Sequence, residues 1–138
     1  MSVIDGLGNA PVTGQDIVLV DGKIAAIGAT GSVKMPNGAL EIDGTGMTAM
    51  PGLIDMQLHT QGGWANGLIA GERYAVSYED EAVQQRQNGY LYAGVTTTLD
   101  VGGDQKFVKA KRDAINSGKM LGPRAFMVGV AWSQASSG

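Results

Sequence analysis

Beyond residue 50 the chain alternates two textures in fixed order, and that alternation constrains its fold more than any other feature. Leu53-Ile54-Asp55-Met56-Gln57-Leu58-His59 reads as a buried strand, followed by a long polar, Gly-containing loop over residues 61–76. A helix is expected to start at Ser77, whose hydroxyl can cap free N–H groups, with Glu79, Asp80 and Glu81 at the positive end of the dipole. It should end near Ala93, with Gly94 just beyond. Val95-Thr96-Thr97-Thr98-Leu99-Asp100-Val101 is β-branched and unbroken, a second buried strand running into Gly102-Gly103. Asp104 is placed to cap a second helix that carries Phe107, Val108, Lys111 and Ile115 on one side and stops at Gly118. The aliphatic stem of Lys111 can lie along that face. A third strand is expected over residues 125–132, after Gly122-Pro123-Arg124. Strand–helix–strand–helix–strand is the signature of a parallel sheet with crossover helices, an α/β protein.

The first fifty residues are different. Two β-rich runs flank Asp21-Gly22, the strongest short-range hairpin signal, and further strands are expected over residues 39–42 and 47–50 around the turn Asp43-Gly44-Thr45-Gly46. The 22 glycines among 138 residues, without any collagen-like period, suit a chain built on tight turns. A boundary therefore falls near residues 50–52, dividing a small β-layer (1–50) from the β/α region (51–138). Three parallel strands cannot close into a barrel, which needs eight strands and about 250 residues. The chain accordingly reads as incomplete, and an unpaired sheet edge predicts either self-association, as a homo-oligomer, or dependence on a missing C-terminal part.

Charge and composition remove several functions. Ten basic against thirteen acidic residues give a net charge of −3, so there is no basic footprint for nucleic acid or an anionic membrane surface. With no cysteine, thiolate metal sites, disulfide scaffolds and thiol nucleophiles are excluded. The start has neither a basic nor an apolar signal region, and no apolar run approaches the ~20 residues of a membrane span, so a cytoplasmic protein is expected.

In α/β proteins binding sites lie beyond the carboxyl ends of the parallel strands, which singles out Gln57, His59, Asp100 and the segment 132–134. Gln57 and His59 stand two apart on one strand, on one face, where both could reach one metal or substrate. On spacing alone, a lone His reads first as a packed, hydrogen-bonded residue and second as a ligand. Asp55 reads as a strand anchor. Asp100 could orient a ligand from behind or be an ordinary turn residue. Trp64, Arg73 and Tyr74 sit in a loop long enough to cover a substrate. Ser133, Ser136 and Ser137 have no base to activate them, and the glycine clusters match neither a phosphate loop nor a dinucleotide fingerprint.

Taken in order, four segments resemble the amidohydrolase superfamily over nearly the whole chain. They are Asp21-Gly22-Lys23-Ile24 through Ile27-Gly28, Ala49-Met50-Pro51-Gly52-Leu53-Ile54-Asp55-Met56-Gln57-Leu58-His59, Ala93-Gly94-Val95-Thr96-Thr97-Thr98-Leu99-Asp100-Val101-Gly102-Gly103, and Gly122-Pro123-Arg124. The later ones look most like its prolidase and imidazolonepropionase branch. The resemblance implies an N-terminal part of a small composite β-sandwich (1–50), then the first three strands and two helices of a (β/α)8 TIM barrel (51–138), incomplete. It implies hydrolysis of an amide bond, in an Xaa-Pro dipeptide or a cyclic amide, by water activated on one or two divalent metals, zinc by family habit. The small-molecule amide or dipeptide would be the partner.

The family ends its first barrel strand in a His-x-His metal pair. Here the corresponding residues are Gln57 and His59, so His59, with Gln57 in the departing position, is the implied metal site. A neutral amide oxygen is a poor substitute for imidazole toward zinc, which disfavours a two-metal site and allows a single-metal member like the deacetylases with Gln at this place. The remaining ligands and the catalytic aspartate would follow residue 138, and the start lacks a sandwich strand the family usually has. The competing expectation is a non-catalytic fold fragment or scaffold that binds no metal.

Overall fold

The structure is a computed structural model that describes residues 1–60, 68–69, 72–73 and 79–129. It is mixed α/β and divides into two compact units, Met1–Pro51 and Gly52–Gly138.

In the first unit β1 (Ser2–Val3) bonds to Val12 on one side, through Val3 N–H to Val12 O at 2.8 Å and the reverse bond at 2.9 Å. β2 (Gln15–Val20) and β3 (Lys23–Ala29) form the antiparallel hairpin that Asp21-Gly22 announces. Both turn residues have positive φ, 51° and 71°, the geometry whose twist matches that of the flanking strands. β4 (Thr48–Ala49) then pairs parallel with the other side of β1. The turn before it is closed by Asp43, whose carboxylate accepts the Thr45 N–H at 2.9 Å. Residues 39–42 are not a strand. Ala39 N–H turns back to Pro36 O, and Leu40 and Ile42 are exposed, because β propensity is realised only against a neighbouring strand.

In the second unit β5 (Leu53–Leu58) precedes the two short antiparallel strands β6 (Leu68–Ile69) and β7 (Glu72–Arg73). There follow α1 (Asp80–Tyr92), β8 (Val95–Asp100), α2 (Gln105–Asn116) and β9 (Arg124–Met127). β5, β8 and β9 make one parallel sheet in that order, with each helix crossing between consecutive strands. The helix ends largely follow the local chemistry expected of them. Asp104 caps α2 by accepting the Phe107 N–H at 2.9 Å, and Gly94 and Gly118 take positive φ of 81° and 75° beyond the two C-termini. α1 departs from expectation: its N-cap is Glu79, with no side-chain cap bond, and Ser77 lies outside the described residues. Asp80 and Glu81 in the first turn stabilise the dipole instead. Asp80 also pairs with Lys111, whose ammonium lies 5.1 Å over the Phe107 ring.

The core lies between helices and sheet: Val83 from α1, Val108 and Ile115 from α2, Leu58 and Ala125 from the strands, and Pro123. Two features of the sheet differ from the expected buried strands. Ile54 and Met56 of β5 and Phe126 of β9 are more than half exposed, because the helices cover one face only. The third strand ends at Met127, and residues 130–132 lie outside the described ones. Asn116 handles the outer edge of β9. Its Nδ2 donates to Ala125 O at 2.7 Å and its Oδ1 accepts Ala125 N–H at 2.9 Å, as a neighbouring strand would. Among the described residues no helix is long and apolar enough to cross a membrane.

Candidate functional site at the carboxyl ends of the parallel strands

A bulge in β5 decides which way the candidate residues face. Asp55 is registered with Thr98 and Leu58 with Asp100, so three steps along β5 match two along β8. Residues in register share a face, and Thr98 and Asp100 both lie on the buried, helix-covered one. Strict alternation would put Asp55 and Leu58 on opposite faces, but the bulge gives both to this face. Asp55 stabilises the irregularity, its carboxylate accepting the Gln57 N–H at 2.9 Å, which is the anchoring role expected of it. Gln57, next to buried Leu58, is thereby turned to the open face and is exposed.

His59 follows the last residue of β5 and is half-buried. Its Nδ1 lies 3.1 Å from Gly102 O, and since a carbonyl only accepts, Nδ1 is the donor in this bond. That is the arrangement in which a ligating imidazole is held from behind by a backbone carbonyl. The chain around it is held by several further bonds. The buried carboxylate of Asp100 accepts Thr60 N–H at 2.7 Å and Gly102 N–H at 3.0 Å, while Arg86 Nη2 donates to Thr60 O at 3.1 Å. Backbone bonds from Val101 N–H to Leu58 O and from Val128 N–H to Asp100 O extend the ladder past the ends of β8 and β9.

Arg86 and Tyr90, one turn apart on α1, lie under this corner. Burial pushes the Arg86 guanidinium below its usual value, Tyr90 opposing. Burial also raises the Tyr90 hydroxyl, helped by the carboxylates of Asp55 and Asp100 and opposed by Arg86. Sequence reading missed both residues. The available signal was their spacing with Val83 and Gln87, at i+3, i+4 and i+7, on a helix that otherwise looks polar all round.

As a metal site, the described residues supply one well-oriented imidazole. They contain no group of three or more His, Cys, Asp and Glu side chains able to hold an ion, and Gln57 offers an exposed amide beside it. The arrangement fits His59 as a single ligand, not as a complete set. Trp64, Tyr74, the segment 132–134 and Ser133, Ser136 and Ser137 lie outside the described residues; of Arg73 only the backbone is described.

No protein-family model matches the chain. Enamidase from Eubacterium barkeri is 32% identical over 105 residues, covering 72% of this chain and 23% of that protein. Among solved structures, phenylurea hydrolase B matches 94% of the chain with a TM-score of 0.78 and 30% identity. Molinate hydrolase matches 94% with 0.77 and 28%, and an Xaa-Pro dipeptidase with methionine bound in its active site matches 94% with 0.73 and 28%. The shares of those three structures covered are 29%, 28% and 32%, so the chain spans less than a third of the relatives it matches. With the fold, the ordered segments and these relatives together, the chain belongs to the amidohydrolase superfamily. The relatives so named are hydrolases.

Proposed function

We propose that the chain forms the N-terminal portion of a cytoplasmic, metal-dependent hydrolase acting on the C–N bond of a small-molecule amide or dipeptide. In this reading residues 1–50 are part of a composite β-sandwich, and residues 51–138 are the first three strands and two helices of a (β/α)8 barrel. His59 is a metal ligand, and Gln57 occupies the place of a second. The observation that carries the reading is His59 itself, set at the carboxyl end of the first parallel strand with Nδ1 bonded to Gly102 O at 3.1 Å.

A divalent cation bound there, zinc by preference, supplies Lewis-acid polarisation of the scissile carbonyl and lowers the pKa of water. This chain's residues orient and hold. Gly102 O accepts a hydrogen bond from Nδ1–H and so fixes the imidazole tautomer, Asp100 and Arg86 immobilise the backbone on either side of Thr60, and Asp55 sets the bulge that exposes Gln57.

Reading the encoding gene past residue 138 tests the proposal directly: strand-end His, Lys and Asp codons are expected, and their absence removes the hydrolase reading. In the longest product of that gene, stoichiometric zinc lost in His59→Ala supports the ligand role. No bound zinc leaves the scaffold reading in its place.

A further inference from the structure

Asp100 does more than close its own turn. An ordinary Asx turn uses one carboxylate oxygen on the N–H two residues ahead, which is what Oδ1 does with Gly102 at 3.0 Å. The other oxygen takes the N–H of Thr60, forty positions earlier in the chain, at 2.7 Å. The two residues so clamped flank one object. Thr60 follows His59 directly, and Gly102 carries the carbonyl that accepts the hydrogen bond from the His59 ring. Asp100 is only 3% exposed, so both bonds form in a poorly screened setting where charge-assisted bonds are strong.

The carbonyl's aim has its own cause. The peptide joining Gly102 to Gly103 is oriented partly by the φ of Gly103, which is 133°, a region L-residues rarely adopt. A side chain at position 103 would thus be strained, and its relief would rotate the Gly102 carbonyl away from His59.

We propose that Asp100 is a positioning residue for His59. Its buried carboxylate locks the turns after β5 and β8 together, so that Gly102 O holds the Nδ1–H tautomer of the ring. The functional consequence, orientation of a metal ligand, rests on the reading of His59 above, but the positioning itself does not.

The test is therefore made first without metal. In the 138-residue chain near pH 8.5, where imidazole is ordinarily neutral, long-range 15N–1H correlation of the His59 ring should show the Nδ1–H tautomer predominating. Asp100→Asn keeps the shape but can offer one acceptor oxygen only. It should give mixed tautomers and about tenfold faster amide exchange at Thr60 or Gly102. Gly103→Ala should give the same mixed ring signal by the independent route. Thr98→Val, equally buried on β8, should lower stability without altering the ring.

An Nε2–H tautomer in the wild-type chain, or an unchanged ring in folded Asp100→Asn, overturns the inference. If Asp100→Asn does not fold, the wild-type tautomer and Gly103→Ala still decide it. A zinc titration of the longer gene product separates the two readings. Where zinc binds, Asp100→Asn should weaken it about 10–100-fold. A positioned Nδ1–H ring with no zinc binding supports the positioning and overturns the ligand reading.

Discussion

Gly52, at the entrance to β5, is a glycine because β8 leaves it no room. A Cβ built there would lie 2.7 Å from the Thr96 Cβ and closer still to that residue's Oγ1 and Cγ2. Carbon atoms pack best about 3.5–4.0 Å apart, so the two Cβ atoms alone are about 1 Å too close. Rotation of Thr96 moves Oγ1 and Cγ2 but not its Cβ, so Gly52→Ala must part the backbones of β5 and β8. The chain there is anchored by the Leu53 N–H bond to Gly94 O at 2.9 Å.

Overpacking of this kind costs about 1–3 kcal/mol, and reduced freedom of the unfolded chain returns about 0.4–1 kcal/mol, so a net loss of about 1–2 kcal/mol is expected. Urea unfolding followed by circular dichroism should show the midpoint fall by about 1 M. Thr96→Ala should fail to rescue the variant, since the Cβ remains, whereas Thr96→Gly should recover most of the loss. Gly89→Ala is the matched control, mid-helix in α1 with nothing within 4 Å of its built Cβ, and it should gain about 0.5–1 kcal/mol. A Gly52→Ala protein as stable as the wild type, or full rescue by Thr96→Ala, would refute the steric argument.

Three further outcomes are expected. The folded-state pKa of Tyr90 is raised above the ordinary value of 10.0, mainly by burial, so the unfolded chain releases this proton first. Its contribution to stability is complete below pH 10 and is lost as pH rises through the folded value; Tyr90→Phe should flatten that alkaline decline in urea midpoints measured from pH 8 to 11.5. Asn116→Ala removes two side-chain bonds from the β9 edge and should cost about 1–3 kcal/mol by thermal unfolding, with light scattering reporting more edge-to-edge association. Gln57→His, made in the longer gene product, should recreate a His pair on the open face and raise zinc content by about one equivalent in metal analysis, while unchanged stoichiometry would return His59 to a packing role.

How much of this was legible in the sequence depends on whether a signal was local. The Asp21-Gly22 turn, the Asp104 cap and the glycines after both helices are each specified by one to four neighbouring residues, and all stand where the chain chemistry puts them. Residues 39–42 failed as a strand because pairing is non-local: the alternation of apolar residues there is right, but among the described residues no strand pairs with them. The start of α1 failed for a related reason. Ser77 is the better cap by intrinsic preference, yet the helix begins at Asp80, whose carboxylate is engaged by Lys111 of the other helix.

The candidate site shows the same division at finer grain. Period-two alternation places Gln57 and His59 together, and it would place Asp55 with them. That last step is where the strand departs from its own pattern. One extra residue between Asp55 and Leu58 keeps the Asp55 carboxylate on the helix side, close enough to Tyr90 to raise its hydroxyl pKa, and releases Gln57 to the open face. A bulge is a compromise between two strands, so its position depends on β8 as much as on β5 and cannot be read from seven residues of one of them. The same is true of Asp100, whose turn role is visible locally through Gly102-Gly103. Its hold on Thr60 exists only once β5 and β8 lie side by side, so the role that bears on His59 belongs to the pairing of the two strands.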